Sequence, residues 1–162
     1  MAARSSGAEA GADHALRAAI VAEARRWIGT PYRHQASCRG AGADCLGLVR
    51  GVWRALYGSE PEPAPPYTPD WAEFADGGEP LIAAATRHLL ALPTEHAVAG
   101  DLLVFRMRDH GPAKHLGILA SPRLAPGRIV HAWSRGAVCE THLTASWLRR
   151  IAGAFRFPDR RT

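Results

Sequence analysis

A Gly- and Pro-rich loop runs from Gly29-Thr30-Pro31-Tyr32 to Gly40-Ala41-Gly42-Ala43 and delivers the chain into Asp44-Cys45-Leu46-Gly47-Leu48-Val49. Asp44 is a good helix N-cap, so Cys45 falls in the first turn of an apolar, helix-periodic segment that continues to Tyr57 and stops at Gly58. A thiol there faces unpaired backbone N–H groups and the positive end of the helix dipole, and both favour the thiolate. Gly47 and Gly51 weaken that helix by about 1 kcal/mol each relative to Ala. A closely packed neighbour, expected to be a sheet, accounts for them.

A nucleophile needs a base, and two histidines far downstream have a suitable setting. Lys114-His115-Leu116-Gly117-Ile118-Leu119 and Arg128-Ile129-Val130-His131-Ala132-Trp133 are short apolar runs of strand type, each with one histidine. Alternate strand residues share a face, so pairing of the two runs brings the imidazoles side by side, expected on the face covered by the cysteine helix. One imidazole then takes the thiol proton and a second polar group holds it in the right tautomer. Each residue alone has a plainer use: a lone cysteine is a small hydrophobe and a lone histidine a surface or core residue. The combination carries the argument.

The rest of the chain fits one α+β domain. Asp13 caps a helix over 14–28 with Ile20, Val21, Ala24, Trp27 and Ile28 inward, behind a flexible lead at 1–12. Pro61, Pro63, Pro65, Pro66 and Pro69 make 59–70 an extended connector fastened by Trp71 and Phe74. A helix over 80–92 begins with Pro80. Strands follow at 102–107, 114–120 and 128–133, with weaker ones at 137–141 and 154–157 around a short helix at 144–151. Helices first and an antiparallel meander afterwards define the α+β class.

Charge and cysteine content narrow the partners. The net charge of +5 and isoelectric point of about 9.7 suit an anionic polymer or an acidic protein. The basic residues are mostly scattered arginines, without a run of five, so a nucleic-acid groove has no support. Three cysteines exclude a complete disulfide framework. Residues 1–12 lack the apolar core of a signal peptide, and nothing later is long enough to span a bilayer, so synthesis in the cytoplasm is expected. A zinc set of Cys38, Cys45, His115 and His131 is the competing use of the same side chains. It lacks the paired spacing that pre-forms such sites, so no metal or cofactor is expected.

Five blocks in order, Gly29-Thr30-Pro31-Tyr32, Asp44-Cys45-x-Gly47-Leu48-Val49, Gly100-Asp101-Leu102, His115-x-Gly117-Ile118 and His131-Ala132, resemble the NlpC-type cell-wall endopeptidases. The resemblance covers roughly 18–133. It implies a papain-like fold, Cys45 as nucleophile, His115 as general base and His131 as the residue that orients it. It puts Tyr32 beside the oxyanion site and Asp44 at a position that in many members contacts the substrate's amino group. The implied substrate is the peptide stem of peptidoglycan, with the bond between D-glutamate (through its γ-carboxyl) and the diamino acid the usual target. The Pro-rich insertion and the absence of an export signal resemble the subgroup carried by tailed phages and gene transfer agents, which implies a tail or baseplate partner and action at the target cell's wall. Leu46 replaces the serine many members use to recognise a free stem amine, and 33–39 replaces the family's Trp-Gly-Gly loop. Two other readings use the same residues: a catalytically weak or inactive structural plug or adaptor in a phage-like tail tip, and amidase or transferase chemistry on an acyl substrate other than the wall.

Overall fold

The structure, a computed structural model, describes residues 5–67 and 78–159. Helix α1 spans Ser5–Arg26. It begins well before Asp13, which lies inside it and pairs with Arg17 at 2.8 Å, so Asp13 is no cap and most of the stretch read as a flexible lead is helical. Ile20, Val21 and Ala24 are buried as their spacing predicts, and so is Trp27 in the turn just past the helix end, whereas Ile28 in the same turn is exposed.

The loop after α1 contains a small antiparallel ribbon that periodicity did not show, β1 (Ser37–Cys38) and β2 (Gly42–Ala43). Helix α2, Cys45–Tyr57, then starts and stops where its signals fall. Asp44 Oδ1 accepts the Gly47 N–H at 2.7 Å, and Gly58 closes the last turn at φ 84°. The two glycines of α2 are explained by neighbours other than a sheet. A Cβ on Gly47 would sit 1.8 Å from the Ala36 carbonyl oxygen, and one on Gly51 would sit 1.9 Å from the Trp27 indole. The 33–39 loop and Trp27, just past the end of α1, therefore press directly on the nucleophile helix.

Beyond α2 the connector is irregular through Tyr67, and its binding is ionic. Arg50 Nε and Arg54 Nη1 donate to Glu60 at 2.7 and 2.5 Å, and Arg87 pairs with Glu62 at 2.7 Å. The anchoring of this segment by Trp71 and Phe74 lies outside the described residues. Helix α3, Pro80–His88, ends earlier than expected because Leu89 turns extended and β3, Leu90–Leu92, pairs with the last strand. The remaining elements are β4 (Leu102–Phe105), β5 (His115–Leu119), β6 (Gly127–Ala132), β7 (Val138–Leu143), α4 (Ala145–Arg149) and β8 (Ile151–Arg156).

All neighbours in the six-stranded sheet are antiparallel, in the order β3-β8-β4-β5-β6-β7. Strands β4 to β7 form the meander read from the sequence, and β8 returns to the far side of β4. The two faces carry separate cores. Leu102, Val104, Leu116, Ile118, Val130 and Ala132 pack with Leu48, Val49 and Val52 of α2 and with α1 and α3. Leu103, Phe105, Leu119 and Ile129 pack on the other face under Trp147 and Leu148 of α4. Asp101 is fully buried at the start of β4, where Arg156 grips both carboxylate oxygens at 2.9 Å and the Val98 N–H adds a third bond at 2.9 Å. Among the described residues no helix is long and apolar enough to cross a membrane.

Candidate active site

The nucleophile position is built from three sides. Asp44 is 2% exposed, and its carboxylate joins them. One oxygen caps α2. The other accepts the Gln35 N–H at 2.7 Å and the Tyr67 hydroxyl at 2.5 Å, with His34 at 3.8 Å. Gln35 adopts φ 63°, unusual for a side-chain-bearing residue, and that turn aims its N–H at Asp44. The Tyr67 carbonyl in turn accepts from His34 Nε2 at 2.8 Å and from the Gln35 side-chain amide. Thus Asp44 is an N-cap, as expected, and its oxygens are taken by the chain itself.

Cys45 is half-buried at the first turn of α2. Its thiol donates to the Lys114 carbonyl at 3.7 Å, while the main-chain N–H groups of Leu116, Leu46 and Cys45 itself point at the sulfur. The sulfur therefore meets β5 on both sides of His115. The expected thiolate is not favoured in this resting arrangement. Burial is the largest influence and Asp44 adds like-charge repulsion; against them the backbone donors are insufficient, and the thiol is pushed up to about 12. Tyr32 stands close enough to feel both charges: burial first, then Cys45 and Asp44, raise its hydroxyl above the usual tyrosine range.

His115 and His131 are brought together as the sequence reading required. His115 Nε2 and His131 Nδ1 share a hydrogen bond of 2.9 Å with the rings perpendicular. The face differs from expectation. By strand alternation both imidazoles share the side of Leu119 and Ile129, under α4, whereas α2 covers the opposite side. The sulfur approaches from the α2 side at the residue where β5 begins. Trp147 packs against both rings, at centroid distances of 5.6 and 5.2 Å, and Phe105 flanks His115. This cover desolvates the pair and pushes His115 down to about 3, with His131 assisting, and His131 to about 4. Both rings are neutral at pH 7, so His115 is able to accept a proton. With its Nε2 engaged by His131, Nδ1 is the nitrogen that can do so.

Sequence reasoning missed three contributors: Tyr67 on Asp44, Trp147 over the histidines, and the β7 pair Cys139 and Thr141. Thr141 Oγ1 lies 3.0 Å and Cys139 Sγ 3.8 Å from His131 Nε2. The β7 pair had a signal, because residues 139 and 141 alternate onto the His131 face. Trp147 and Tyr67 lie on separate elements whose packing no local pattern reveals. Cys38 is exposed on β1 and free. Among the described residues no group of three or more His, Cys, Asp or Glu side chains is arranged to hold a metal.

A cysteine at a helix start, set against the first residues of an inner strand of an antiparallel sheet that carries two linked histidines, defines a papain-like α+β architecture. Solved structures share it. The chain is similar to the NlpC/p60 domain of the peptidoglycan hydrolase SagA, with 25% identity, a TM-score of 0.59, and coverage of 87% of this chain and 98% of that one. It is also similar to an NLP/P60 family lipoprotein-like protein of Staphylococcus aureus (22% identity, TM-score 0.60) and an NlpC/P60 family protein of Bacillus cereus (19%, 0.61). This chain covers 90% and 87% of its own length in those matches, and spans about two-fifths of theirs, 42% and 40%. No family model and no curated protein matches the sequence.

Proposed function

We propose that this chain is an NlpC/p60-type cysteine peptidase that hydrolyses an amide bond in the peptide stems of peptidoglycan. The observation that carries the proposal is the seating of the Cys45 sulfur between Lys114 and Leu116, on either side of a histidine that is itself bonded to His131. The similarity to a peptidoglycan hydrolase domain over nearly its full length supports the substrate class. Net positive charge suits an anionic wall polymer.

In this reading the resting pair is a neutral thiol and a neutral imidazole. As the sulfur attacks the carbonyl carbon, the thiol proton passes to His115 Nδ1 and the C–S bond forms. The Cys45 backbone N–H is one donor to the oxyanion, at a helix start that favours negative charge, and Tyr32 stands beside it. His115 then gives its proton to the leaving amine as the C–N bond breaks. Water attacks the thioester carbonyl and gives a proton to His115; the C–S bond breaks, the carboxyl product leaves, and His115 passes the proton to the sulfur to restore the thiol. The γ-D-glutamyl–diamino acid bond is the target assigned here, following the family resemblance. Action within a phage-like tail follows the resemblance to tail-associated members, whose Pro-rich insertion this chain shares.

The test is digestion of purified sacculi by the wild type and by Cys45→Ala, with product masses read out. Soluble muropeptides from the wild type alone, with new termini at γ-glutamyl, support the proposal. Equal digestion by both removes Cys45 as nucleophile. A second reading, a tail-tip adaptor that keeps the fold without turnover, is favoured by the strongly protonated thiol, and absence of products from the wild type decides for it.

A further inference from the structure

His131 is wholly buried, and both of its ring nitrogens are engaged, Nδ1 by His115 and Nε2 by the hydroxyl of Thr141. The tautomers along this line are coupled. A neutral imidazole carries one proton, so each nitrogen that donates forces the other to accept. For His115 Nδ1 to take the thiol proton, His115 must carry its own proton on Nε2 and donate it to His131 Nδ1. His131 must then carry its proton on Nε2, and that N–H needs an acceptor. Reversed, with Thr141 donating to Nε2, His131 donates from Nδ1, His115 is protonated on Nδ1, and the base is blocked.

We infer that Thr141 is a positioning residue whose Oγ1 accepts the His131 Nε2–H and so fixes the whole line in the base-competent tautomer. This rests on the peptidase reading above and extends it from three side chains to four. Thr141 fits the task because a hydroxyl oxygen 3.0 Å away accepts without bringing a charge into a site enclosed by Trp147 and Phe105. It also leaves its own proton free to turn aside. The sulfur of Cys139 at 3.8 Å is a longer and weaker acceptor. The strands hold the geometry: His131 faces Cys139 directly, Ile129 faces Thr141, and alternation puts all four on one side of the sheet. When His115 takes the thiol proton, both of its ring nitrogens carry N–H, its Nε2–H still has His131 Nδ1 as acceptor, and the Nε2–H of the neutral His131 still has Thr141 Oγ1.

The experiment compares Thr141→Val and Thr141→Ser with the wild type, using kcat and KM on muropeptides together with ¹⁵N shifts of the His131 ring. The shifts report which nitrogen is protonated and require no turnover. The expected wild-type result is a protonated Nε2. Thr141→Val should lower kcat about 10- to 100-fold with KM unchanged and move the His131 proton towards Nδ1. Thr141→Ser should restore both. A wild-type His131 protonated on Nδ1, or a Thr141→Val enzyme with full kcat, overturns the inference. If the wild type cleaves no wall substrate, the peptidase reading fails separately, and the ring shifts alone then decide: a proton that moves in Thr141→Val supports the Thr141 bond, and one that stays put overturns it.

Discussion

The reactivity of Cys45 before substrate binds should be low, and the size of the effect follows from its surroundings. With the thiol pushed up to about 12, the thiolate fraction at pH 7 is about 10⁻⁵. An ordinary thiol near 8.5 has a fraction of about 10⁻¹·⁵, some 3,000-fold more. The more basic thiolate is the better nucleophile, by about 1.5 log units over that interval for a Brønsted slope of 0.4–0.5. The net expectation is alkylation about 100-fold slower than that of an ordinary exposed thiol. Cys38 provides an exposed thiol in the same chain. Iodoacetamide labelling, resolved by peptide mass spectrometry from pH 6 to 10, should show Cys45 trailing Cys38 at pH 7. Its rate should climb about tenfold per pH unit without a plateau. Labelling of Cys45 that outpaces Cys38 at pH 7 and is flat with pH would mean that a thiolate–imidazolium pair exists before substrate arrives. The reasoning from burial and Asp44 would then be wrong, and the helix start would dominate after all.

Two further expectations concern the fold. Arg156→Leu leaves the buried Asp101 carboxylate with one backbone donor, and should cost about 3–5 kcal/mol in urea unfolding; a change under about 1 kcal/mol would show that the pair is dispensable. Acid should destabilise the protein early: His115 and His131 lie below their unfolded value near 6.5, so above that pH both states are neutral and nothing is lost. As pH falls from 6.5 to 4.5 the unfolded chain binds two protons that the folded site refuses, removing about 5 kcal/mol, and a denaturation midpoint that stays constant over that window would refute the shifts.

The elements legible in the sequence were those written in local signals. Asp44 and Gly58 bracket α2 because a side-chain acceptor and a left-handed residue are what helix ends need. The His115 and His131 runs were readable as strands because β-branched and aliphatic residues cluster between turns. The α1 start was misread because Asp13 is both a good cap and, mid-helix, a good partner for Arg17 four residues on. The end of α3 was missed because Leu89 to Leu92 satisfy helical spacing, while pairing with β8 decides otherwise. The face presented by the histidines was beyond local reasoning. Alternation shows that two residues lie on one side of a sheet, but not which layer covers that side. The state of the thiol was missed for a related reason: a helix start is visible in sequence, whereas the depth of its burial is a property of the assembled layers.

The Asp44 carboxylate couples parts of the chain that are far apart in sequence. A single pair of oxygens begins the nucleophile helix, closes the 33–39 loop through Gln35 and tethers the Pro-rich segment at Tyr67. Lengthening, shortening or rerouting that segment therefore cannot be a peripheral edit. Its last described residue pulls on the same group that sets where the sulfur stands, so variation in the connector is transmitted to the reacting atom through one shared hydrogen-bond hub.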